Sequence, residues 1–317
     1  MSTILITGAY GFVGTNLSAH LAQRGHTLWA LDLPEARREA TAYARDFHWA
    51  ALDAIPWPAV DAVIHLAGKA HDTKNASDPQ SYFDINAGLT QRVIGQLQPH
   101  TARRKKFILF SSVKACADTV DGMLTEDAPP NPQTPYGQSK LQAEAIATAA
   151  TSPALQTYIL RPCMIHGPGN KGNLNLLYAI ASKGIPWPLG AFDNKRTFAA
   201  IGNVSAVTAG LIENDIAPGI YQVADDEPLS TNRIIRLIAE SAGKQARIWR
   251  TPPSLIRPLA KLGDTLRLPL NSERLKKLTE SYIASNKKIR HALQWERMPV
   301  TAEDGMRKTL ASFTCHH

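Results

Sequence analysis

The first half of the chain alternates short apolar runs with amphipathic stretches of helical period. The apolar runs are TILIT, TLWALD, FHWAALD, AVIHLAG and KFILFSS. Helical stretches such as FVGTNLSAHLAQRG and SYFDINAGLTQRVIGQL stand between them, and a helix after Tyr136 is followed by a strand in QTYILRP. This alternation predicts parallel strands joined by crossover helices. We therefore expect an α/β fold with a Rossmann-type, doubly wound parallel sheet.

The pattern changes beyond Pro162. Clusters of Gly and Pro in HGPGNKGN and GIPWPLG are followed by mainly helical segments. A chain of 317 residues that is 44% hydrophobic can bury a large core, which predicts one large domain or two interlocked ones. We place the sheet domain at residues 1–165, with a return segment near 197–225, and a smaller, helix-rich lobe at residues 166–317.

Composition also bears on the compartment and on metal binding. The three cysteines, Cys116, Cys163 and Cys315, are widely spaced and lack metal-ligand pairing, and the N-terminus lacks a secretory apolar run. No stretch approaches about 18 uninterrupted apolar residues, the minimum for a spanning helix. We therefore expect a cytoplasmic protein without a metal site.

Positive charge is concentrated late in the chain. The formal net charge is +8, and residues 254–293 contain nine basic and three acidic residues, a local net charge of 9 − 3 = +6. Such a patch suits nucleotide phosphates or an anionic membrane surface, and it is equally typical of a solvated helical face. No aromatic-interleaved basic strand or recognition helix accompanies it, so we expect no nucleic acid partner.

A glycine-rich loop follows the first apolar run directly. TILIT leads into GAYGFVG, which puts Gly8, Gly11 and Gly14 at the start of a helix. Glycines allow a tight turn and a close approach to a pyrophosphate, whose charge the helix N-terminus stabilises. The loop therefore predicts a dinucleotide site.

An acidic residue at the end of the second apolar run, TLWALD, indicates which dinucleotide binds, NAD or NADP. Asp32 follows Gly8 by 24 residues, where a carboxylate can accept hydrogen bonds from both ribose hydroxyls. A 2'-phosphate about 4 Å away would be repelled by roughly 4 kcal/mol per unit charge at an effective dielectric constant near 20. This favours NAD over NADP, although Arg37 and Arg38 follow closely and a capping role for Asp32 is the alternative.

Further residues lie where the strands of such a sheet end, the edge at which ligands bind. Asp53 closes the predicted third strand WAALD and Ala54 follows it, while Leu66, Ala67 and Gly68 close the fourth, IHLAG. Packing is the alternative role for the small residues. The expected cofactor contacts in this half of the chain are Gly8, Tyr10, Gly11, Phe12, Val13, Gly14, Asp32, Asp53, Ala54, Leu66, Ala67 and Gly68.

The segment TPYGQSK places a tyrosine and a lysine four residues apart at a helix start. Thr134 can cap the helix and Pro135 suits its first position, so Tyr136 and Lys140 would share one face. A neighbouring ammonium group favours phenolate, and lowering a tyrosine pKa from about 10 toward 7 takes roughly 4 kcal/mol. Such a phenol could act as a base, but a chain of this composition contains roughly 0.4 such pairs by chance.

The order of these motifs is more specific than any one of them. With TGAYGFVG, Asp32, Asp53, HLAG, Asn86, FSSV, the Tyr136 and Lys140 pair and LRPCMIHGPG, the chain resembles the extended short-chain dehydrogenase/reductase family over nearly its whole length. These are NAD-dependent nucleotide-sugar epimerases and dehydratases. GPGNKGNLNLL and GIPWPLGAFDNKRTFAAIGNV are most similar to UDP-hexose and UDP-N-acetylhexosamine 4-epimerases and to 4-keto-sugar reductases of surface polysaccharide synthesis.

The resemblance implies a catalytic trio. Tyr136 would exchange a proton with a sugar hydroxyl, Lys140 would lower the pKa of Tyr136 and hold the nicotinamide ribose, and Ser112 would hydrogen-bond the reacting hydroxyl. Asn86 would support the backbone of the site. The resemblance extends the cofactor contacts to Ser111, Tyr136, Lys140, Pro162 and Met164.

The same resemblance indicates contacts to the substrate. Lys171, Asn173 and Arg196 match positions that hold the nucleotide diphosphate, and arginine suits this role through its forked donors. Lys69 and His71 follow the fourth strand and complete the expected substrate set, while His65 is interpreted as a core residue. Cys116, Ala117 and His166 replace the usual tyrosine, glycine and tyrosine, which leaves sugar specificity open.

We therefore expect an NAD-dependent 4-epimerase of a UDP-linked sugar, with NAD bound by the first domain and the sugar mainly by the second. Alternatives are a one-way NAD(P)H-dependent 4-keto-sugar reductase and a 4-epimerase of a polyprenyl-diphosphate-linked sugar. A dehydratase is disfavoured because SSVK lacks paired acids, and a dinucleotide sensor because the trio is intact. The family also implies a homodimer, and the basic patch suggests peripheral contact with the inner face of an anionic membrane.

Overall fold

The computed structural model describes residues 1–37, 42–69, 78–170, 173–266 and 271–314. Its strands, in chain order, are β1 (Thr3–Thr7), β2 (Thr27–Asp32), β3 (Tyr43–His48), β4 (Ala62–His65), β5 (Lys105–Phe110), β6 (Met123–Leu124), β7 (Leu155–Pro162), β8 (Met164–His166), β9 (Phe198–Ala200), β10 (Gly219–Val223) and β11 (Ile283–Ala284). Seven of them form one parallel sheet in the order β10-β7-β5-β4-β1-β2-β3. The predicted doubly wound sheet is confirmed.

Helices cover both faces of this sheet and dominate the C-terminal part. In chain order they are α1 (Phe12–Gln23), α2 (Pro79–Phe83), α3 (Leu89–Leu97), α4 (Pro135–Ala149), α5 (Asn173–Ala181), α6 (Ile201–Glu213), α7 (Thr231–Ser241), α8 (Pro253–Leu266), α9 (Ser272–Thr279), α10 (Lys287–Ala292) and α11 (Ala302–Thr314). A π-helical turn, Asp84–Gly88, joins α2 to α3. No helix within the described ranges has both the length and the apolar character needed to cross a bilayer.

Two apolar layers hold the sheet between the helices. Alternate residues such as Ile4 and Leu5 of β1 belong to opposite layers, the first packed with α1 and α6 and the second with α3 and α4. Burial on both faces explains why the central strands are continuously apolar. A third cluster, formed by α5, α7, α8 and α11, is the core of the helix-rich lobe.

The third strand differs from the prediction. It ends at His48, and residues Trp49–Ala54 form 3₁₀ turns, so Asp53 does not close a strand. The reason is that β3 is an edge strand with β2 as its partner, and the last pair of that ladder joins Asp32 to His48. Beyond this point the chain has no strand to pair with, and it turns to bury Leu52 and Trp57.

The sheet brings several strand ends to one level. Thr7 of β1 pairs with Leu31 of β2 on one side and with His65 of β4 on the other. The carboxyl ends of β1, β2 and β4 therefore form one continuous edge, and β5 extends it beyond β4. This edge is where a doubly wound fold binds its ligands.

Candidate active site

The glycine loop is closed tightly against the end of β4. Gly8 has a φ of +66°, and its amide donates to the carbonyl of Leu31 over 2.9 Å. A Cβ at Gly8 would lie 2.8 Å from the amide nitrogen of Ala67, and one at Gly14 would overlap the carbonyl oxygen of Ala9. Both positions therefore require glycine. Leu66 and Ala67 lie against the loop, and Gly68 lies beside Asn86 and Lys140.

Helix α1 presents an open N-terminus at this edge. Its N-cap residue is Gly11, which offers no side-chain acceptor, and its first turn contains no acidic residue. The first-turn amides are thus left to an external anion, which a helix N-terminus stabilises. Phe12 and Val13 begin the helix and pack against the core. This geometry fits the pyrophosphate of a dinucleotide.

Asp32 is fixed beside the loop. Its carboxylate accepts hydrogen bonds from the amides of Tyr10 over 2.9 Å and Leu33 over 2.8 Å. Asp46 accepts a hydrogen bond from the Tyr10 hydroxyl, and one of its oxygens lies 3.6 Å from the Arg37 guanidinium. Arg37 is therefore paired with a carboxylate, which supports the preference for a free ribose over a 2'-phosphate. Arg38 lies outside the described residues.

Helix α4 begins as its sequence predicts. The Thr134 hydroxyl accepts from the Gly137 amide over 3.2 Å, and Pro135 occupies the first turn. Tyr136 and Lys140 are consequently one turn apart on the same helix. The Tyr136 phenol shares a hydrogen bond with Ser112, a buried residue that follows β5. The structure thus brings Ser112, Tyr136 and Lys140 together at the carboxyl edge.

Burial dominates the electrostatics of Tyr136 and Lys140. Burial raises the pKa of Tyr136 above its usual value, the hydrogen bond with Ser112 acts in the opposite direction, and Tyr82 raises it further. Burial also lowers the pKa of Lys140 to about 8, against the influence of Glu144. The Lys140 ammonium donates to the Phe110 carbonyl over 2.9 Å. Burial is therefore the largest influence on the pKa of Tyr136, and the lowering of this pKa by Lys140 stays a prediction.

Asn86 connects two parts of the site. Its carboxamide oxygen accepts from the Lys69 amide over 2.8 Å, and its nitrogen donates to the Lys69 carbonyl over 3.2 Å and to the Ser139 hydroxyl over 2.9 Å. The buried Asn86 lies in the π-helical turn, a feature frequent at functional sites. It therefore fastens the chain after β4 to the helix that carries Tyr136 and Lys140.

A buried ion pair, not anticipated from the sequence, anchors the same helix. Arg161 binds Glu144 through two hydrogen bonds of 2.9 and 2.6 Å, and the two side chains are 1% and 3% exposed. Ser111 also hydrogen-bonds Glu144, so its side chain is engaged in this network. The sequence carried one signal: Glu144 follows Lys140 by four residues, on the same helical face.

Lys114 is a second residue that the sequence reasoning missed. Its ammonium donates to the Asp118 carbonyl over 2.6 Å and lies 4.4 Å above the Tyr282 ring. Burial lowers the pKa of Lys114, and the nearby Arg196 lowers it further. Arg196 itself donates to the Lys277 carbonyl. The two cations therefore lie close enough to influence each other, and the backbone amide of Lys114 donates to the Ser112 hydroxyl over 3.2 Å.

The chain passes the site again after β7. Pro162 ends that strand, and the exposed Met164 begins β8. Cys163 between them is buried, its sulfur is 3.2 Å from the Thr197 hydroxyl, and burial raises its pKa to about 12. A thiol with such a pKa is a poor nucleophile near neutral pH.

Other predicted contacts have different surroundings. The exposed Asp53 accepts from Gln96 over 2.6 Å, and Ala54 ends the same 3₁₀ segment. The Lys69 ammonium donates to the Ser81 hydroxyl over 2.6 Å. Contacts of Asp53 and Lys69 with ligands stay predictions. Asn173 begins α5, whereas His71 and Lys171 lie outside the described residues.

Two histidines pack inside the fold. The Nδ1 atom of His65 lies 2.8 Å from the Thr7 hydroxyl, and its ring stacks on Phe107. The Nδ1 atom of His166 lies 2.8 Å from the Thr309 hydroxyl. Among the described residues, no three His, Cys, Asp or Glu side chains are grouped as a metal site.

Comparison with known proteins agrees with this geometry. A sequence model of the NAD dependent epimerase/dehydratase family matches residues 4–224. The chain is 28% identical over 324 residues to a UDP-glucose 4-epimerase of Vibrio cholerae, covering 98% of this chain and 95% of that protein. It is 27% identical to a GDP-6-deoxy-D-mannose reductase of Pseudomonas aeruginosa, covering 80% and 84%.

Two further comparisons bear on carrier and fold. The chain is 29% identical to an N-acetyl-alpha-D-glucosaminyl-diphospho-ditrans,octacis-undecaprenol 4-epimerase of Escherichia coli O157:H7, covering 82% of this chain and 77% of that protein. The structure of a UDP-glucuronic acid 4-epimerase from Bacillus cereus in complex with NAD matches with a TM-score of 0.74 and 19% identity, covering 99% of this chain and 100% of that chain. That likeness shows the fold.

Proposed function

This chain belongs to the NAD-dependent epimerase/dehydratase family, and from that premise we propose that it is a nucleotide-sugar 4-epimerase. In this proposal it acts on a UDP-hexose or a UDP-N-acetylhexosamine and uses NAD. The observation that carries the proposal is the convergence of Ser112, Tyr136 and Lys140 at the sheet edge that also holds the glycine loop and Asp32.

The residues present fit a dinucleotide, and each would contact a different part of it. The open α1 N-terminus would hold the pyrophosphate, and Asp32 would accept from the adenosine ribose. Lys140 would donate to the nicotinamide ribose at the other end. When bound, NAD would supply the hydride acceptor. The tight turn at Gly8 would let the pyrophosphate approach the backbone.

Proton transfer belongs to Tyr136. In its base form the phenol takes the proton of the C4 hydroxyl, held by Ser112, as the C4 hydride leaves the sugar. The resulting 4-keto sugar then rotates in the site so that the other face of C4 meets the hydride. The hydride returns to that face, and Tyr136 returns the proton to the oxygen. The sugar thus changes configuration with no net oxidation, so NAD is needed in catalytic amounts.

One observation favours a second function, a one-way 4-keto-sugar reductase. Burial raises the pKa of Tyr136, which favours the protonated phenol. A protonated phenol is the form required to donate to a 4-keto oxygen as hydride arrives from NADH or NADPH. The relative that is a GDP-6-deoxy-D-mannose reductase fits this alternative.

The decisive experiment distinguishes the two reactions. Purified protein is incubated in one assay with catalytic NAD and a panel of UDP-hexoses and UDP-N-acetylhexosamines, and in a second assay with NADH or NADPH and a 4-keto nucleotide sugar. The products are identified by NMR. An epimerase converts one sugar to its C4 epimer without a lasting change at 340 nm, whereas a reductase consumes NADH in proportion to product. Tyr136→Phe should abolish turnover and retain dinucleotide affinity. Turnover by Tyr136→Phe at the wild-type rate would disprove the assignment of the acid/base.

Carrier and setting complete the proposal. The protein acts in the cytoplasm in surface polysaccharide synthesis, on a UDP-linked sugar; a sugar on a polyprenyl diphosphate is the alternative, in line with the undecaprenol-linked relative. Lys114 and Arg196 contribute positive charge on the substrate side, and Lys171, Asn173, Lys69 and His71 remain proposed contacts.

The proposal includes a homodimer. A groove of about 420 Å³ runs between the α2–α3 segment and α4, lined by residues that include Phe83, Ala87, Gln142 and Ile146. Pairing of two copies through α4 and α2–α3 would cover this groove. Light scattering after gel filtration should give twice the mass of 34.6 kDa, and Ile146→Arg, at a partly exposed position of the groove, should give the monomer mass. A wild-type monomer at micromolar concentration would contradict this part.

A further inference from the structure

Helix α8 leaves a row of leucines uncovered. Leu255, Leu259, Leu262 and Leu266 are each more than half exposed, at 59%, 56%, 51% and 58%. Their spacing of four, three and four residues puts them within an arc of about 60° on the helix. The residues by which α8 packs on its own lobe, Ile256, Ala260 and Gly263, are centred about 100° away. The leucine row is therefore a separate face.

Two further exposed hydrophobic side chains lie on paired segments that precede α8 in the chain. Of the ten large hydrophobic side chains that are exposed among the described residues, four lie on α8 and two on these segments. The two additional members are Trp249, which is 59% exposed, and Ile185, which is 50% exposed. The Trp249 amide donates to the Trp187 carbonyl over 2.8 Å, which places the two segments side by side. A concentration of this kind marks an interaction surface.

Positive charge is concentrated on the same part of the chain. Exposed basic residues on α8, on α9 and on the strand-like segment before α8 are Arg247, Arg250, Arg257, Lys261, Arg274 and Lys276. The acidic residues of the two helices are engaged locally: Asp264 accepts from the amide and hydroxyl of Ser272, and Glu273 pairs with Lys277. On α8 itself, Lys261 lies about 130° from the centre of the leucine row and flanks it, whereas Arg257 lies on the opposite face, about 170° away.

We propose that α8 docks the protein on an anionic lipid bilayer, with the leucine row and Trp249 at the boundary between headgroups and acyl chains. An amphipathic helix with exposed leucines and tryptophan and with basic residues nearby has the chemistry of an interfacial helix. Basic side chains near the surface attract anionic headgroups. The proposal goes beyond the sugar chemistry and does not depend on it.

Charge argues against a second copy as the occupant. In a two-fold contact each patch would face itself, so the basic residues of one subunit would oppose those of the other. Like charges placed opposite each other disfavour such a contact. An anionic headgroup layer gives the complementary charge instead.

Vesicle binding tests the proposal directly, with the full-length protein. Co-sedimentation is measured with phosphatidylcholine vesicles, with and without about 30% phosphatidylglycerol, at low salt and at about 150 mM salt. The wild type should bind the anionic vesicles, less at the higher salt. Leu259→Ser/Leu262→Ser should bind them at least about tenfold more weakly. Lys261→Gln should lose about fivefold, since this one basic residue flanks the leucine row near the surface.

The chain offers a matched control. Leu33 is 51% exposed and lies on the sheet domain, so Leu33→Ser removes the same kind of exposed side chain elsewhere and should bind like the wild type. Tryptophan emission should shift to shorter wavelength on anionic vesicles, and Trp249→Phe should remove most of that shift. Circular dichroism and thermal melting confirm that each variant is folded.

Three outcomes would overturn the proposal. One is binding to neutral vesicles as strong as to anionic ones, and another is wild-type binding by the leucine variant. The third is an absence of vesicle binding together with a change of oligomeric state in the leucine variant, which would identify a second copy as the occupant. Failure of the sugar assays leaves these results unaffected, so the two proposals fail independently.

Discussion

Removal of the carboxylate of Glu144 should destabilise the protein strongly. Arg161 is 1% exposed, it holds Glu144 through its Nε and Nη2 atoms, and its Nη1 atom is buried without a hydrogen-bond partner among the described residues. Glu144→Leu would leave a buried guanidinium with no acceptor for these donors. Breaking a buried pair from one side costs about 3 to 5 kcal/mol. At about 2.1 cal/mol/K per residue, 317 residues give an unfolding entropy near 0.67 kcal/mol/K, so a loss of about 4 kcal/mol lowers Tm by about 6 °C.

The double variant Glu144→Leu/Arg161→Met separates charge burial from packing. Replacing both partners by apolar side chains removes the uncompensated charge, so its stability should lie within about 1 to 2 kcal/mol of the wild type. Urea unfolding followed by circular dichroism gives the free energy of unfolding of each variant, and thermal unfolding gives its Tm. An exposed pair is the control: Glu273 and Lys277 are 59% and 43% exposed, and Glu273→Leu should cost less than about 0.5 kcal/mol. A loss below about 1 kcal/mol for Glu144→Leu, or a double variant less stable than either single one, would refute the reasoning.

Three other predictions concern the site itself. Gly14→Ala should lower dinucleotide affinity at least about tenfold, as measured by NADH fluorescence titration, because its methyl group would overlap the Ala9 carbonyl; Gly95→Ala, which has open space around it, should not. Burial lowers the pKa of Lys140 to about 8. Between pH 8 and about 10.5 the unfolded chain therefore binds more protons than the folded one. The free energy of unfolding should rise by up to about 3 kcal/mol over this range because of Lys140. Urea titrations should show this rise shrinking in Lys140→Met, and equal pH profiles would contradict it. Asn86→Ala breaks three hydrogen bonds and should lower kcat about tenfold or more while costing about 1 to 3 kcal/mol of stability; a variant with unchanged kcat would rule out its bracing role.

Local patterns were sufficient to predict much of this molecule. The glycine loop, Asp32 at the end of β2 and the capped start of α4 each depend on residues adjacent in sequence and on one helix or strand rule. The sheet followed from the same kind of pattern, because central strands must be apolar on both faces. The position of Ser112 beside Tyr136 was predicted from motif order in the family resemblance.

Features that depend on partners far along the chain were not predicted. FHWAALD has the apolar character of a strand, but where β3 ends is set by the end of β2, so Asp53 was misplaced. The pKa of Tyr136 depends on burial by the whole fold, which a lysine four residues away does not reveal. The leucine row of α8 is visible in the sequence, but only the packing of Ile256 and Ala260 shows that it faces outward.

A single carboxamide joins the cofactor helix to the loop that follows β8. The Asn16 side chain donates to the Phe12 carbonyl over 2.9 Å and to the Pro168 carbonyl over 3.2 Å, and the Phe12 ring lies beside Gly167 and Gly169. A ligand that orders the start of α1 would therefore also order the loop after β8, which the proposed function places beside the sugar. By linkage the effect is reciprocal: if the dinucleotide raises sugar affinity by some factor, the sugar raises dinucleotide affinity by the same factor. In the proposed epimerase, such coupling would retain the cofactor most firmly while the 4-keto sugar is bound, when loss of the cofactor would leave an oxidised product.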